Sequence, residues 1–338
     1  MKLSNYDRVL GSLYGIATGD ALGMPTSFLR PEYIKEKFGW VNKMYDPEKG
    51  HIFHDGLHAG EVTDDTEQAI ALIISFTRCK KVEPKDVVKE IVKWADRVRN
   101  KYAAPYGPST ERALKAIANG EDIRQTGKQG NTNGGAMRIA PLGIIHGLKE
   151  SSLDELIQDV YLTCLPTHNT KVSNSAAAAV AYGVALAIRG VEDMDELISG
   201  MIEASIVAEK NGYAVTAPSI AKRIEVIYDV VKKSTDDEQT MLEIYDLFGG
   251  GDLSADSVPV AIGMFALAGG DPKKAIEFCA NIGGDCDTNA AIAGAMAGAM
   301  KGVEAIPEEW RREVNRMNDL KLEFYTQEML DLIPLWNK

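Results

Sequence analysis

Two short stretches carry paired acids: VTDDT beginning at Val62, and GGDCDT beginning at Gly283. Each sets two aspartates beside a threonine hydroxyl, at the mouth of an apolar run rich in alanine. Carboxylates this close repel one another unless positive charge sits between them. A helix cap accounts for one acid per cluster, because Thr63 and Asp64 stand where a helix begins and acids suit the positive end of its dipole. It does not account for the second acid, or for the pattern occurring twice. The oxygens of Thr63, Asp64, Asp65, Asp285, Asp287 and Thr288 suit hard cations such as Mg2+, Mn2+ or Ca2+. That many donors fits two ions. Cys286 is expected to turn into the protein, since a soft thiolate mismatches an oxygen shell.

Weaker signals surround these clusters. In LYGIATGDALGMP, Gly15, Gly19 and Gly23 point to close packing and then a helix end, with a structural role for Asp20. NTNGGAMR, Asn131 to Arg138, puts small residues at a helix start near Ala136, where free backbone N–H groups can hold a phosphate. It lacks the GK[ST] of a P-loop. PTHNT opens a helix with Thr167 as its expected cap and His168 in the first turn. HIFHDGLH offers His51, His54 and His58 at a spacing conceivable for zinc, but Gly56 interrupts any helix that would align them, so it reads as a loop.

The elements that must position these groups are helical. Period-3.6 spacing predicts helices over Arg8–Thr18, Glu67–Cys79, Lys85–Val98, Thr110–Ala118, Asp154–Thr163, Asn169–Ile188, Met194–Ala208 and Ile220–Val231. Strand-like alternation is nearly absent, so the fold class is all-α. Asp271-Pro272 and Ile306-Pro307 read as helix starts, and Gly190 and Gly302 as stops. Residues 28–61 form a long glycine-bearing loop directly before the first aspartate pair, a placement typical of functional loops. The small residues of Ala290–Met300 allow another helix to approach closely.

No linker or composition shift divides the 338 residues, so one domain spanning 1–338 is expected. With 37 basic against 49 acidic residues the net charge is −12, and no basic run could track a phosphate backbone, which argues against nucleic acid. The longest apolar stretches fall short of roughly 18 residues, so no membrane span is expected. Cys79, Cys164, Cys279 and Cys286 lack CxxC spacing and read as reduced thiols of a cytoplasmic protein.

Taken together, YGIATGDALGMP, TDDT, NGGAMRIAPLG, the Thr167–His168 pair and GGDCDTNAAIAGAMAGA resemble, in order, the ADP-ribosylglycohydrolase family, which includes the dinitrogenase reductase-activating glycohydrolases. The resemblance implies an orthogonal helical bundle around two divalent cations, usually Mg2+ or Mn2+, that cleaves a glycosidic bond at the anomeric carbon of ADP-ribose. It places Thr63, Asp64 and Asp65 on one side of the centre and Asp285, Asp287 and Thr288 on the other. Asp65 or Asp287 would orient the attacking water. Asn133, Gly134, Gly135, Ala136 and Met137 match the phosphate-contacting loop, and His168 a ligand-side histidine. At one position the chain departs from the family: Ser27 stands where a catalytic glutamate is usual, and a hydroxyl is no acid or base near neutral pH. Glu32 and Glu61, in the same loop, are the candidate replacements. Hydrolysis of nucleosides or other ribosides, and a non-catalytic ADP-ribose-binding or structural role, are the alternatives.

Overall fold

The computed structural model describes residues 3–99, 101 and 106–337. Helices follow one another along the chain: α1 (Asn5–Gly23), α2 (Pro31–Phe38), α3 (Asp64–Cys79), α4 (Pro84–Val98), α5 (Pro108–Ala118), α6 (Ile123–Thr126), α7 (Gly134–Met137), α8 (Ala140–Leu148) and α9 (Leu153–Cys164). The second half adds α10 (Lys171–Ile188), α11 (Met194–Ala208), α12 (Ile220–Val231), α13 (Asp237–Phe248), α14 (Ser254–Leu267), α15 (Pro272–Ile282), α16 (Cys286–Lys301), α17 (Glu308–Met317) and α18 (Leu322–Leu332). Among the described residues no strand forms beyond two isolated bridges, Thr132 with Leu253 and Thr170 with Tyr213. The all-α expectation holds.

Local chemistry sets the helix ends. Ser4 and Asp7 form a reciprocal capping box on α1, and Ser152 and Glu155 do the same on α9. Asp271 caps α15 ahead of Pro272, as its sequence suggests. Gly190 and Gly302, at φ 89° and 78°, end α10 and α16 in a region that favours glycine. Thr170, not Thr167, caps α10 by accepting from the Ser173 N–H. Thr167 is unavailable because its hydroxyl accepts from buried Arg138. Periodicity did not flag α14, which is buried nearly all round, or α17, where only Trp310 and Val314 are buried.

At the centre α1 and α16 run antiparallel with their backbones in contact. Gly11, Gly15, Gly19 and Gly23, spaced four apart on one face of α1, oppose Gly298, Gly294, Ala290 and Cys286. A Cβ at Gly15 would stand 2.0 Å from the Gly294 carbonyl oxygen, and one at Gly298 would stand 2.0 Å from that of Gly11. No side chain fits there. Gly15 of the YGIATGDALG motif and the small residues of GGDCDTNAAIAGAMAGA are thus two halves of one seam. Buried Arg8 closes the far end, donating to the carbonyls of Ala187, Ala299 and Met300 at 2.9–3.1 Å. Those acceptors are carbonyls of the last turns of α10 and α16, where a cation also complements the helix dipole.

One correction concerns α10. Its 18 residues are long and apolar enough to cross a membrane, contrary to the shorter estimate from sequence, but 89% of that stretch is buried inside the fold. It packs against α8, α11 and α16 as a core helix.

Gly15→Ala is expected to lower stability by about 3 kcal/mol, the upper end for overpacking, because the obstruction is backbone. Gly251→Ala, where an added Cβ meets nothing within 4 Å, is the control. Equal denaturation midpoints for the two variants would contradict the seam.

Candidate metal centre and cavity

Asp20 organises the first acidic cluster. Its fully buried carboxylate leaves α1 and accepts from the backbone N–H of Thr63 (3.0 Å) and Thr66 (3.1 Å) and from both their hydroxyls, at 2.8 and 2.5 Å. It thereby caps α3 from another helix, meeting the N–H groups of its cap residue and of its third residue. Thr63 occupies the cap position but makes no capping bond with its side chain. Its hydroxyl faces Asp20 and Asp65, 2.8 and 3.1 Å away. Asp64, half-buried, points to the cavity and accepts from Gln68 at 3.0 Å.

The second cluster is fixed by four other parts of the chain. Asp285 precedes α16 and accepts from Asn133 Nδ2 at 2.6 Å, while its own N–H donates to the Gly250 carbonyl at 2.7 Å. Asn133 also donates to Ser257. Asp287, in the first turn of α16, accepts from the Ser27 hydroxyl at 2.6 Å through Oδ1. Its Oδ2 lies 2.9 Å from His54 Nε2. Cys286 is fully buried, as expected.

These carboxylates burden one another. Burial first, then neighbouring acids, raises Asp20 to about 6 and Asp64 to about 7, and holds Asp65 and Asp285 well above the usual carboxylate range. Asp287 alone is lowered: burial pushes it up, but His54, Asp285 and Ser27 outweigh that. His54 is raised, the negative charges of Asp287, Asp20 and Asp64 overcoming the burial of its ring. Nearby Arg138, fully buried and lowered to about 10 by burial, bonds Gln68 and Thr167 and reaches Asp64 only through Gln68.

Among the described residues no three His, Cys, Asp or Glu side chains form a ready-made metal cage. The donor chemistry nonetheless suits divalent ions. Asp65 Oδ1 is buried without a hydrogen-bond partner, and several mutually repelling carboxylates share one rim, a state that divalent cations relieve.

The rim opens on a cavity of about 380 Å³, within the usual range for small-molecule sites. Asp64, Asp285, Asp287 and Thr288 line it together with Asn133, Gly134 and Met137. Thr63 and Asp65 are buried beneath. His168, expected on the ligand side, is fully buried, bonds Thr132 and Thr167 and sits directly under Gly134 and Gly135. Burial, then Arg138 and Arg112, keeps its ring neutral. Gly135 and Ala136 belong to the same buried turn and do not line the cavity. Ser27 is likewise buried, reaching the cavity only through Asp287.

Glu32 lies outside this cavity, in a separate one lined by Trp40 and Met241, because α2 carries it away. Glu61 accepts from the His58 N–H and pairs with Lys101. Neither carboxylate meets the aspartates. Residues that sequence reasoning did not assign to the centre stand there instead: Asp20 beside Thr63, His54 beside Asp287, and the Phe28 and Phe53 rings, centroids 4.5 Å apart, on the cavity wall. The histidine spacing of HIFHDGLH was the available signal. The turn through Gly56, φ 98°, is the loop expected, yet it delivers His54 to the acids.

Asp20→Ala strips acceptors from four buried donors, so a loss of about 3 kcal/mol is expected. Hydrogen exchange at the Thr63 and Thr66 amides should accelerate in the same variant. Unchanged protection there would rule out Asp20 as the cap of α3.

Comparison with other proteins agrees over the whole length. A profile described as ADP-ribosylglycohydrolase matches residues 1–336. The uncharacterized protein YegU of Escherichia coli (strain K12) is 32% identical over 320 residues, covering 94% of this chain and 95% of that one. ADP-ribosyl-[dinitrogen reductase] glycohydrolase of Rhodospirillum rubrum is 25% identical, with 98% and 96% covered, and human ADP-ribosylhydrolase ARH3 is 24% identical, with 90% and 88% covered. A solved structure titled ADP-ribosylglycohydrolase-related protein complex shares the fold, with TM-score 0.69, 24% identity and coverage of 97% and 99%. With its helices, its paired aspartates and its full-length match in accord, the chain belongs to the ADP-ribosylglycohydrolase family.

Proposed function

We propose that the protein is a divalent-cation-dependent hydrolase that cleaves the glycosidic bond at the anomeric carbon of an ADP-ribosyl group. The observation that carries this reading is the meeting of Asp64 with Asp285 and Asp287 at one cavity, from distant parts of the chain, with Asp65 buried behind them. Thr63, Asp64 and Asp65 on one side and Asp285, Asp287 and Thr288 on the other would hold two Mg2+ or Mn2+ ions. Ions bound there would supply the positive charge that neutralises the carboxylates and acidifies water.

The chain's own groups do the rest. Asp287, exposed to the cavity and kept ionised, orients the attacking water, while Asp65 braces Thr63 from below. The Asn133–Met137 turn, seated on His168, presents backbone to the phosphates. Asn133 also fixes Asp285, so substrate contact and acid placement share one side chain. Binding energy remote from the reacting bond then positions the anomeric carbon.

A second reading has its own support. Among the described residues lining the cavity there is no lysine or arginine to meet a diphosphate. A nucleoside or other riboside needs none. Ser27, at the family's glutamate position, is the reason to test binding without turnover as well.

The deciding assay is hydrolysis of ADP-ribosyl-arginine, ADP-ribosyl-serine, nucleosides and nucleotides with Mg2+, Mn2+ or chelator. Turnover of the ADP-ribosyl substrates only with metal is expected; turnover of nucleosides alone selects the second reading, and tight ADP-ribose binding without any turnover refutes both. Asp64→Asn and Asp285→Asn should each cut metal affinity and turnover more than about 100-fold, beyond what loss of an outer-shell partner costs. Ser27→Glu should raise the rate on ADP-ribosyl substrates, and no rise would show that this position does not limit catalysis.

A further inference from the structure

The HIFHDGLH turn takes no part in the function proposed above, yet it is built around the acid cluster. His51 Nδ1 accepts from the backbone N–H of Phe53 (3.3 Å) and His54 (3.1 Å), so the proton of its neutral ring is on Nε2, which donates to the Ser27 carbonyl at 3.0 Å. The turn is thereby tied to the segment where the family carries its glutamate. The rings of His51 and His54 stack with centroids 5.1 Å apart. That stacking holds His54 inward, while His58, in the same stretch, stays exposed beside Asp46.

His54 is 6% exposed and lines the cavity with Asp64, Asp285 and Asp287. Nδ1 has no hydrogen-bond partner, and Nε2 meets only Asp287 Oδ2, at 2.9 Å. A buried ring nitrogen without a partner is costly, and an imidazole facing a carboxylate on a cation-binding rim can exchange its proton for a metal ion. The contact length accommodates such an ion. Two donors at about 2.1 Å from a shared octahedral ion, at right angles, stand about 3 Å apart.

Resting on the reading of this cavity as a divalent-cation centre, we propose that His54 is a nitrogen ligand of that centre, beside Asp287, in place of the carboxylate missing at Ser27. An imidazole in the shell tilts preference toward ions that accept nitrogen, such as Ni2+, Fe2+ and Zn2+, and away from Mg2+.

The test uses the full chain loaded with Mn2+ and pulsed electron paramagnetic resonance, which detects nitrogen bound to the ion. Wild type should show nitrogen modulation, and His54→Gln should lose it while still binding Mn2+. Titration calorimetry should show Ni2+ affinity falling at least about tenfold in His54→Gln, with Mg2+ affinity falling less. Should His54→Gln fail to fold, Ser27→Glu serves instead, since a restored carboxylate should displace the ring and abolish the modulation. Bound Mn2+ without nitrogen modulation in wild type, or modulation that persists in both variants, overturns the ligand role and leaves the cation-dependent hydrolase standing. Failure of wild type to bind Mn2+, Ni2+ or Mg2+ overturns both.

Discussion

The close approach of α1 and α16 is the constraint on which the rest of the molecule depends. Their glycines and alanines put backbone against backbone, so the N-terminal and C-terminal parts of the sequence meet along the whole seam. Because the pair is antiparallel, the end of α1 lies beside the start of α16. Asp20 and Ser27 therefore arrive next to Asp285 and Asp287, with no loop rearrangement needed to assemble them. Small side chains contribute little burial of their own here; they allow the main chains to gain dispersion contacts and Cα–H to carbonyl contacts that larger residues would forbid.

Rigidity along that seam is put to an electrostatic use. Buried carboxylates crowd one rim, and the protein offers them little cationic relief: His54 touches Asp287, and Arg138 stands one glutamine away from Asp64. A softer scaffold would relax such repulsion by moving the acids apart. Here Asp20 is locked by Thr63 and Thr66, Asp285 by Asn133 and Gly250, and Asp287 by Ser27, so the charges are held where counterions can gather. The bonds that hold the acids in place are themselves supported from behind, Asn133 by Ser257, and the turn that follows it by His168.

Ser27 belongs to this frame rather than to the cavity wall. Its hydroxyl donates to Asp287 and stays buried, and a hydroxyl cannot do the acid–base work of a carboxylate near neutral pH. The neighbouring turn sets the His54 imidazole against the other oxygen of the same aspartate. Glu32 and Glu61, chosen as substitutes because they share the loop in sequence, are carried elsewhere: α2 turns Glu32 to another cavity, and Lys101 and the His58 amide engage Glu61.

By itself the sequence determined the helical class, the limits of Met194–Ala208 and Ile220–Val231, the stops at Gly190 and Gly302, and the pairing of the two aspartate motifs, because these rest on local spacing, backbone freedom and like-charge repulsion. Tertiary structure alone decided that Asp20 caps a helix not its own, that His168 lies under the turn at Gly134 rather than in the cavity, and that His54 reaches Asp287. Beyond the histidine spacing of HIFHDGLH, none of these has a local signature. Each is a contact between separate segments of the chain, and its partner is chosen by how the helices pack, which no single stretch of residues encodes.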